Sequence, residues 1–195
     1  MGAIELFCPT FSFEYYPAVP QLFHFSENPA ISVFRPRSAP VFGGESLVWA
    51  IDLEHSQSYW FPRDCPRACC WIGESPIRHS LHELPGTSDL LRLHVIEEDW
   101  LDRMRNCRLY AYEFDSEGFE SRVAEAGYWT SSEAVIPLAV VPVGDLVSRH
   151  VESGIELRTV PNLWPVIDAI VESGLEFSII RKANARPRVR EVVPG

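Results

Sequence analysis

Leu47-Val48-Trp49-Ala50-Ile51-Asp52, running on through His55, Tyr59, Phe61-Pro62-Arg63-Asp64 and Pro66-Arg67 to Ala68-Cys69-Cys70-Trp71-Ile72, is the stretch whose reading decides the fold class. Leu47 to Ile51 is an uninterrupted apolar run and predicts a buried strand. Asp52 can accept the first free amides of a short helix running towards Tyr59. Phe61-Pro62 ends that helix, because the residue before a proline is pushed out of the α region. Ala68 to Ile72 then predicts a second strand. Short strands alternate in this way with short helices along the rest of the chain, in irregular order, which predicts an α+β fold rather than a doubly wound parallel sheet.

Upstream, Leu22-Phe23-His24-Phe25 reads as a short strand closed by Ser26-Glu27-Asn28-Pro29. Arg35 to Gly44, with Pro36, Pro40 and Gly43-Gly44, reads as a loop, and residues 1–20, with three prolines, as an irregular arm. Downstream, Gly73 to Ser88 is polar and predicts a long surface loop. Leu91 to Ile96 and Arg108 to Phe114 alternate as strands do, and Glu98 to Asn106 between them has helical spacing through Trp100, Leu101 and Met104. Tyr128 to Val143 predicts one or two strands, with Pro137 and Pro142 placing them at an edge or break. Val143 to Ser153 and Leu163 to Ser173 predict helices stopped by Gly154 and Gly174, with a strand at Ile155 to Val160 between them. The organisation expected is an arm at 1–20, one domain at 21–185 and a basic tail at 186–195.

A chain of 195 residues suffices for one core without disulfides or metal. Apolar residues make up 46% and charged residues 23%, which excludes a disordered chain. The net charge of −10 repels polyphosphates unless basic residues gather locally. They do so in Arg181, Lys182, Arg186, Arg188 and Arg190, which make either a nucleic-acid contact or a solvated, partly frayed tail. The longest apolar runs, such as Ala134 to Val143, are about half of the roughly 20 residues that a membrane helix needs, so no membrane span is expected. Glu5, Pro9, Glu14 and Pro17 break up what a secretory signal would keep apolar, so an unexported, cytoplasmic protein is expected. Five cysteines, two of them adjacent, suggest no disulfide framework and a reducing compartment.

Cys65, Cys69, Cys70, His79 and His82 are the densest group of zinc-like ligands, but one x3 cysteine pair plus an adjacent residue is not the paired spacing of a structural site. No metal ligand is assigned, and a zinc-stabilised module stays as an alternative. Cys65 between Arg63 and Arg67 has neighbours that favour a thiolate nucleophile, or else an ion-paired loop. G-x-S-x-G, P-loop and G-x-G-x-x-G patterns do not occur.

Two resemblances carry the functional reading. His24-Phe25-Ser26-Glu27, Val48-Trp49-Ala50-Ile51-Asp52 and Tyr59-Trp60-Phe61-Pro62-Arg63-Asp64-Cys65-Pro66-Arg67 resemble a small bacterial family of uncharacterised proteins, whose name conveys no activity. Leu22-Phe23-His24-Phe25-Ser26, Val48-Trp49-Ala50-Ile51-Asp52 with its helix, and Tyr128-Trp129-Thr130-Ser131-Ser132-Glu133-Ala134-Val135-Ile136-Pro137 look like the three core segments of the ADP-ribosyltransferase-like fold. Its DNA-modifying branch has a similar histidine on the first strand and a similar glutamate opening an apolar strand. That resemblance implies a split, partly antiparallel sheet, and NAD as substrate rather than as a resident cofactor. Glu133 would meet the oxocarbenium-like charge at the ribose, and His24 would donate a hydrogen bond to the adenosine ribose. Ser26, Arg35, Tyr59, Arg63 and Arg67 would bind the nucleotide, Tyr59 by stacking and the arginines at the pyrophosphate. Ser131 stands where arginine-modifying members often carry a second glutamate. ADP-ribosyl transfer or NAD hydrolysis is therefore the leading reading, and a non-catalytic binding module with a degenerate cleft the alternative.

Overall fold

The computed structural model describes residues 20–39, 43–73 and 91–188. The strands are β1 (Leu22–Ser26), β2 (Arg37–Ala39), β3 (Glu45–Asp52), β4 (Arg67–Trp71), β5 (Arg92–Glu97), β6 (Tyr110–Phe114), β7 (Glu120–Val123), β8 (Tyr128–Ser131), β9 (Ala139–Pro142), β10 (Ile155–Val160) and β11 (Glu176–Ile180). The helices are α1 (Leu101–Asn106), α2 (Leu146–Glu152) and α3 (Trp164–Glu172). The fold is α+β in a single domain, mostly sheet. One sheet runs β7-β8-β3-β1-β6-β9 with β2 added on β3, and every pairing in it is antiparallel. The other runs β10-β5-β4-β11, where only β5 and β10 are parallel.

β4 shows how the layers stack. All five of its residues are buried, and alternation sends them to two different cores. Cys69 and Trp71 face Trp60, Phe61, Met104 of α1 and Leu146 of α2. Ala68 and Cys70 face Leu163 and, from α3, Ile167 and Ile170. Each buried isoleucine is worth about 1.5–3 kcal/mol, which holds α3 to the sheet. The first sheet has a third core on its outer face, where Leu22, Val48, Ala50 and Tyr112 meet Phe34.

The expected elements appear with shifted ends. The helix after Asp52 is a single 3-10 turn, Ser56–Tyr59. Its N-cap position is His55 rather than Asp52, with no side-chain cap bond; Asp52, the last residue of β3, accepts the His55 N–H at 2.9 Å just ahead of the turn, and little chain is left before Pro62 for a full helix. α2 begins at Leu146 because Asp145 accepts the Ser148 N–H at 2.6 Å, and Gly154 at φ +68° follows its end. β9 is an edge strand, where Pro142 lies opposite Tyr110. Three strands are absent from the sequence reading. β2 lies inside the Pro- and Gly-rich stretch read as a loop, β7 is polar and largely exposed, and β11 follows the glycine at which the reading stopped.

The basic end is docked through Arg188 rather than frayed. The buried Glu97 carboxylate accepts the Arg186 N–H at 3.0 and 3.1 Å and the Leu163 N–H at 3.1 Å. The Arg186 guanidinium pairs with Asp99 and donates to the Pro161 carbonyl at 2.9 Å. Arg188 forks onto Asp168 at 2.7 and 2.8 Å. Arg190, the first 19 residues and most of the predicted polar loop lie outside the described residues. Among the described residues, no helix is long and apolar enough to cross a membrane.

Candidate functional site

β1 pairs with β6 along its whole length, but with β3 only at Leu22↔Asp52 and Phe23↔Ile51. β3 meanwhile stays paired with β8 from Val48 to Ile51. The central sheet therefore opens between β1 and β3 from His24 onward. His24 Nδ1–H donates to the Trp49 carbonyl at 3.0 Å, bridging the opening with a side chain where the ladder has ended. Burial holds the His24 pKa below the ordinary histidine value, the Trp49 bond opposes this, and Arg63 and Arg37 lower it further. A neutral ring that donates from Nδ1 keeps a lone pair on Nε2. Towards a ribose hydroxyl it would accept a hydrogen bond, not donate one as the resemblance implies.

A cavity of about 470 Å³ lies at the opening, lined by both sheets. That volume is within the range of small-molecule sites, roughly 300–1,000 Å³. Its aromatic wall comes from β1, β3, β8 and the 3-10 turn: Phe25 stacks with Tyr59 at 6.4 Å, and Trp49 meets Tyr128 edge-on at 5.7 Å. Burial pushes the Tyr59 phenol well above its ordinary value, with Tyr128 beside it adding to the shift. Among the described residues, no aspartate or glutamate lines the cavity.

Arg67 opens β4 at the floor, only 3% exposed. Its Nε donates to the Ser58 carbonyl at 2.7 Å and Nη1 to the Cys65 carbonyl at 3.0 Å. The guanidinium carbon lies 5.3 Å from the Tyr59 ring centre and 5.1 Å from that of Phe61. Burial lowers its pKa, and the groups that raise it again are the thiols and phenols of Cys69, Tyr59, Cys65 and Tyr128, not carboxylates. Arg63 and Arg181 also line the cavity, with exposed side chains. None of these three arginines has an ion-pair partner among the described residues, whereas Arg103, Arg105, Arg122, Arg158, Arg186 and Arg188 all do.

A sequence model for a family of unknown function, DUF6886, matches residues 23–185. The chain belongs to that family. No curated protein and no solved structure matches it. The matched span includes both sides of the sheet opening and all three cavity arginines.

Of the residues singled out in the sequence, His24, Ser26, Tyr59, Arg63 and Arg67 line one cavity. Arg35 does not, being exposed beside Phe34, whose ring fills the outer core. Glu133 is not among the lining residues either. It is exposed beyond the end of β8, and its N–H donates to Ser131 Oγ at 3.2 Å. Phe25, Trp49, Tyr128 and Arg181 belong to the cavity without having been singled out as binders. Trp49 and Tyr128 were legible as apolar strand residues, and Arg181 only as part of a basic run.

The nucleophile reading of Cys65 changes. Cys65 is fully buried, and burial pushes its thiol up to about 12 although Arg67 pulls the other way, so its neighbours do not make it a nucleophile. Cys69 and Cys70 point into opposite cores, their thiols raised by burial to about 11 and about 12. Among the described residues, no three histidine, cysteine, aspartate or glutamate side chains converge as metal ligands, and His79 and His82 lie outside those residues.

Proposed function

We propose that this protein binds a nucleotide, NAD being the candidate, in the opening between β1 and β3, and that it does so as a binding module. The observation that carries this reading is Arg67. Taking a guanidinium out of water costs several kcal/mol, and two carbonyl bonds and two ring faces offset only part of it. A phosphate would supply the missing countercharge in the geometry that the planar fork matches best. Arg63 and Arg181 strengthen the argument, since they gather positive charge at one mouth of a protein whose net charge is −10. The rings of Phe25, Tyr59, Trp49 and Tyr128 offer flat faces for a base or a nicotinamide. The resemblance of the His24, Tyr59 and Glu133 segments to the ADP-ribosyltransferase-like fold is what favours NAD among nucleotides. Turnover, by ADP-ribosyl transfer or NAD hydrolysis, needs a carboxylate at the ribose, and Glu133 stands outside the lining. Binding is therefore the better supported of the two.

Calorimetric titration with NAD, ADP-ribose and nicotinamide, run beside a chromatographic assay for free nicotinamide, tests the proposal. Saturable NAD binding without nicotinamide release is expected. Release that Glu133→Gln abolishes would reinstate the transferase reading, and absence of binding by any nucleotide would end the nucleotide reading.

A further inference from the structure

We propose that Arg181 and Arg63 form a two-armed clamp at the cavity mouth, and that the ligand it selects carries a diphosphate rather than a single phosphate. The inference rests on the nucleotide-binding reading. Its starting point is the backbone of Arg181, the one non-glycine residue with positive φ among the described residues, at 56°. In that left-handed region a β-carbon crowds the carbonyl, and glycine would make the turn without strain. Such strain persists where the surroundings over-determine it, and it gathers at ligand clamps.

Asn184 supplies the constraint. Its N–H donates to the Arg181 carbonyl at 2.8 Å. Its side-chain Nδ2 donates to the Asp64 carbonyl, 120 residues away in sequence, also at 2.8 Å. The turn after β11 is thereby tied to the Arg63-Asp64 segment, whose Arg63 N–H is held in turn by Glu27 Oε1 at 2.9 Å. Arg63 and Arg181 thus start from fixed backbone at one mouth, both exposed and both without an ion-pair partner among the described residues. Arg186 and Arg188, a few residues further on, are each satisfied by an aspartate. With Arg67 buried at the floor, positive charge runs from floor to rim. A single phosphate would leave part of that run unmatched. Two linked phosphates extend along it, each presenting oxygens to a planar fork.

The test is calorimetric titration of ADP, AMP and NAD into the wild-type protein, Arg181→Gly and Arg181→Lys, with thermal melting of each. Wild type should bind ADP about tenfold more tightly than AMP, the difference that one charge-assisted contact makes. In Arg181→Gly that preference should vanish and NAD should weaken, while the melting temperature rises because the strain is gone. Arg181→Lys should recover part of the preference without the higher melting temperature. If wild type binds ADP and Arg181→Gly binds it within about twofold, less than the loss of one such contact, the residue is scaffold and the clamp is wrong. If wild type binds ADP and AMP equally, the diphosphate selectivity is wrong. If wild type binds no nucleotide, the underlying reading falls along with the clamp.

Discussion

Lowering the pH from 7 to 5 should destabilise this protein through His94 on β5. The His94 and His150 side chains are fully buried, with His150 Nε2 at 3.1 Å from His94 Nδ1. His150 Nδ1–H donates to the Leu146 carbonyl at 2.7 Å, so a neutral His150 accepts from His94 through Nε2. That leaves His94 Nε2 buried without a partner among the described residues, under the Phe61 ring at 5.6 Å. Burial pushes the His94 pKa well below its ordinary 6.5, and His150, Arg92 and Arg67 push the same way. A folded pKa below the unfolded one means that the unfolded chain takes up the proton first. The contribution is complete above the unfolded value and is lost as pH falls below it towards the folded value. At pH 5, 1.5 units under that reference, one imidazole that stays neutral when folded costs about 2 kcal/mol. His150, lowered by burial, adds to the loss, but a proton on either ring opposes a proton on the other. Urea unfolding of wild type and His94→Leu at pH 7 and pH 5 isolates the term. Asp52 and Asp145, whose pKa values are lowered, and His55, whose value is raised mainly by Asp52, contribute to both proteins and cancel in the double difference. Wild type should lose about 2 kcal/mol more than the variant over this window. Equal losses would refute the assignment of a buried, neutral His94.

Gly127→Ala should lower stability by about 1–3 kcal/mol or more, since φ is +67° and the new methyl would sit 2.4 Å from His55 Nδ1 and 2.6 Å from Asp52 Oδ1. Gly154→Ala, at φ +68° with nothing within 4 Å, should lose only the conformational part, about 1 kcal/mol. Thermal melts of the pair separate crowding from strain, and equal losses would mean that the Asp52–His55 pair yields freely. Maleimide labelling of the folded protein at pH 7, read by peptide mapping, should spare Cys65, Cys69 and Cys70 and reach Cys107, which is only half-buried though its thiol is raised to about 11. Labelling of Cys65 in the folded state would contradict its burial.

The amino-acid sequence by itself determined where most of the chain becomes strand or helix, and which residues are candidates for binding. Apolar runs, proline stops and the glycines after α2 and α3 act over a few residues and can be read where they stand. The grouping of His24, Ser26, Arg35, Tyr59, Arg63, Arg67 and Glu133 came instead from the resemblance to the ADP-ribosyltransferase-like fold. Tertiary structure alone decided which of them meet. The cavity exists because β1 leaves β3 after two paired positions while each keeps its other neighbour, a matter of strand pairing between distant segments that no local pattern records. The same pairing puts β11 on β4 and so carries Arg181 out of a basic run to the cavity mouth, while Glu133 and Arg35 are left outside. Arg67 shows the division most plainly. Its place in Arg63-Asp64-Cys65-Pro66-Arg67 marks it as a charge beside prolines, but its burial without a carboxylate partner among the described residues follows from two sheets closing over it, and that solvation cost is what makes it informative.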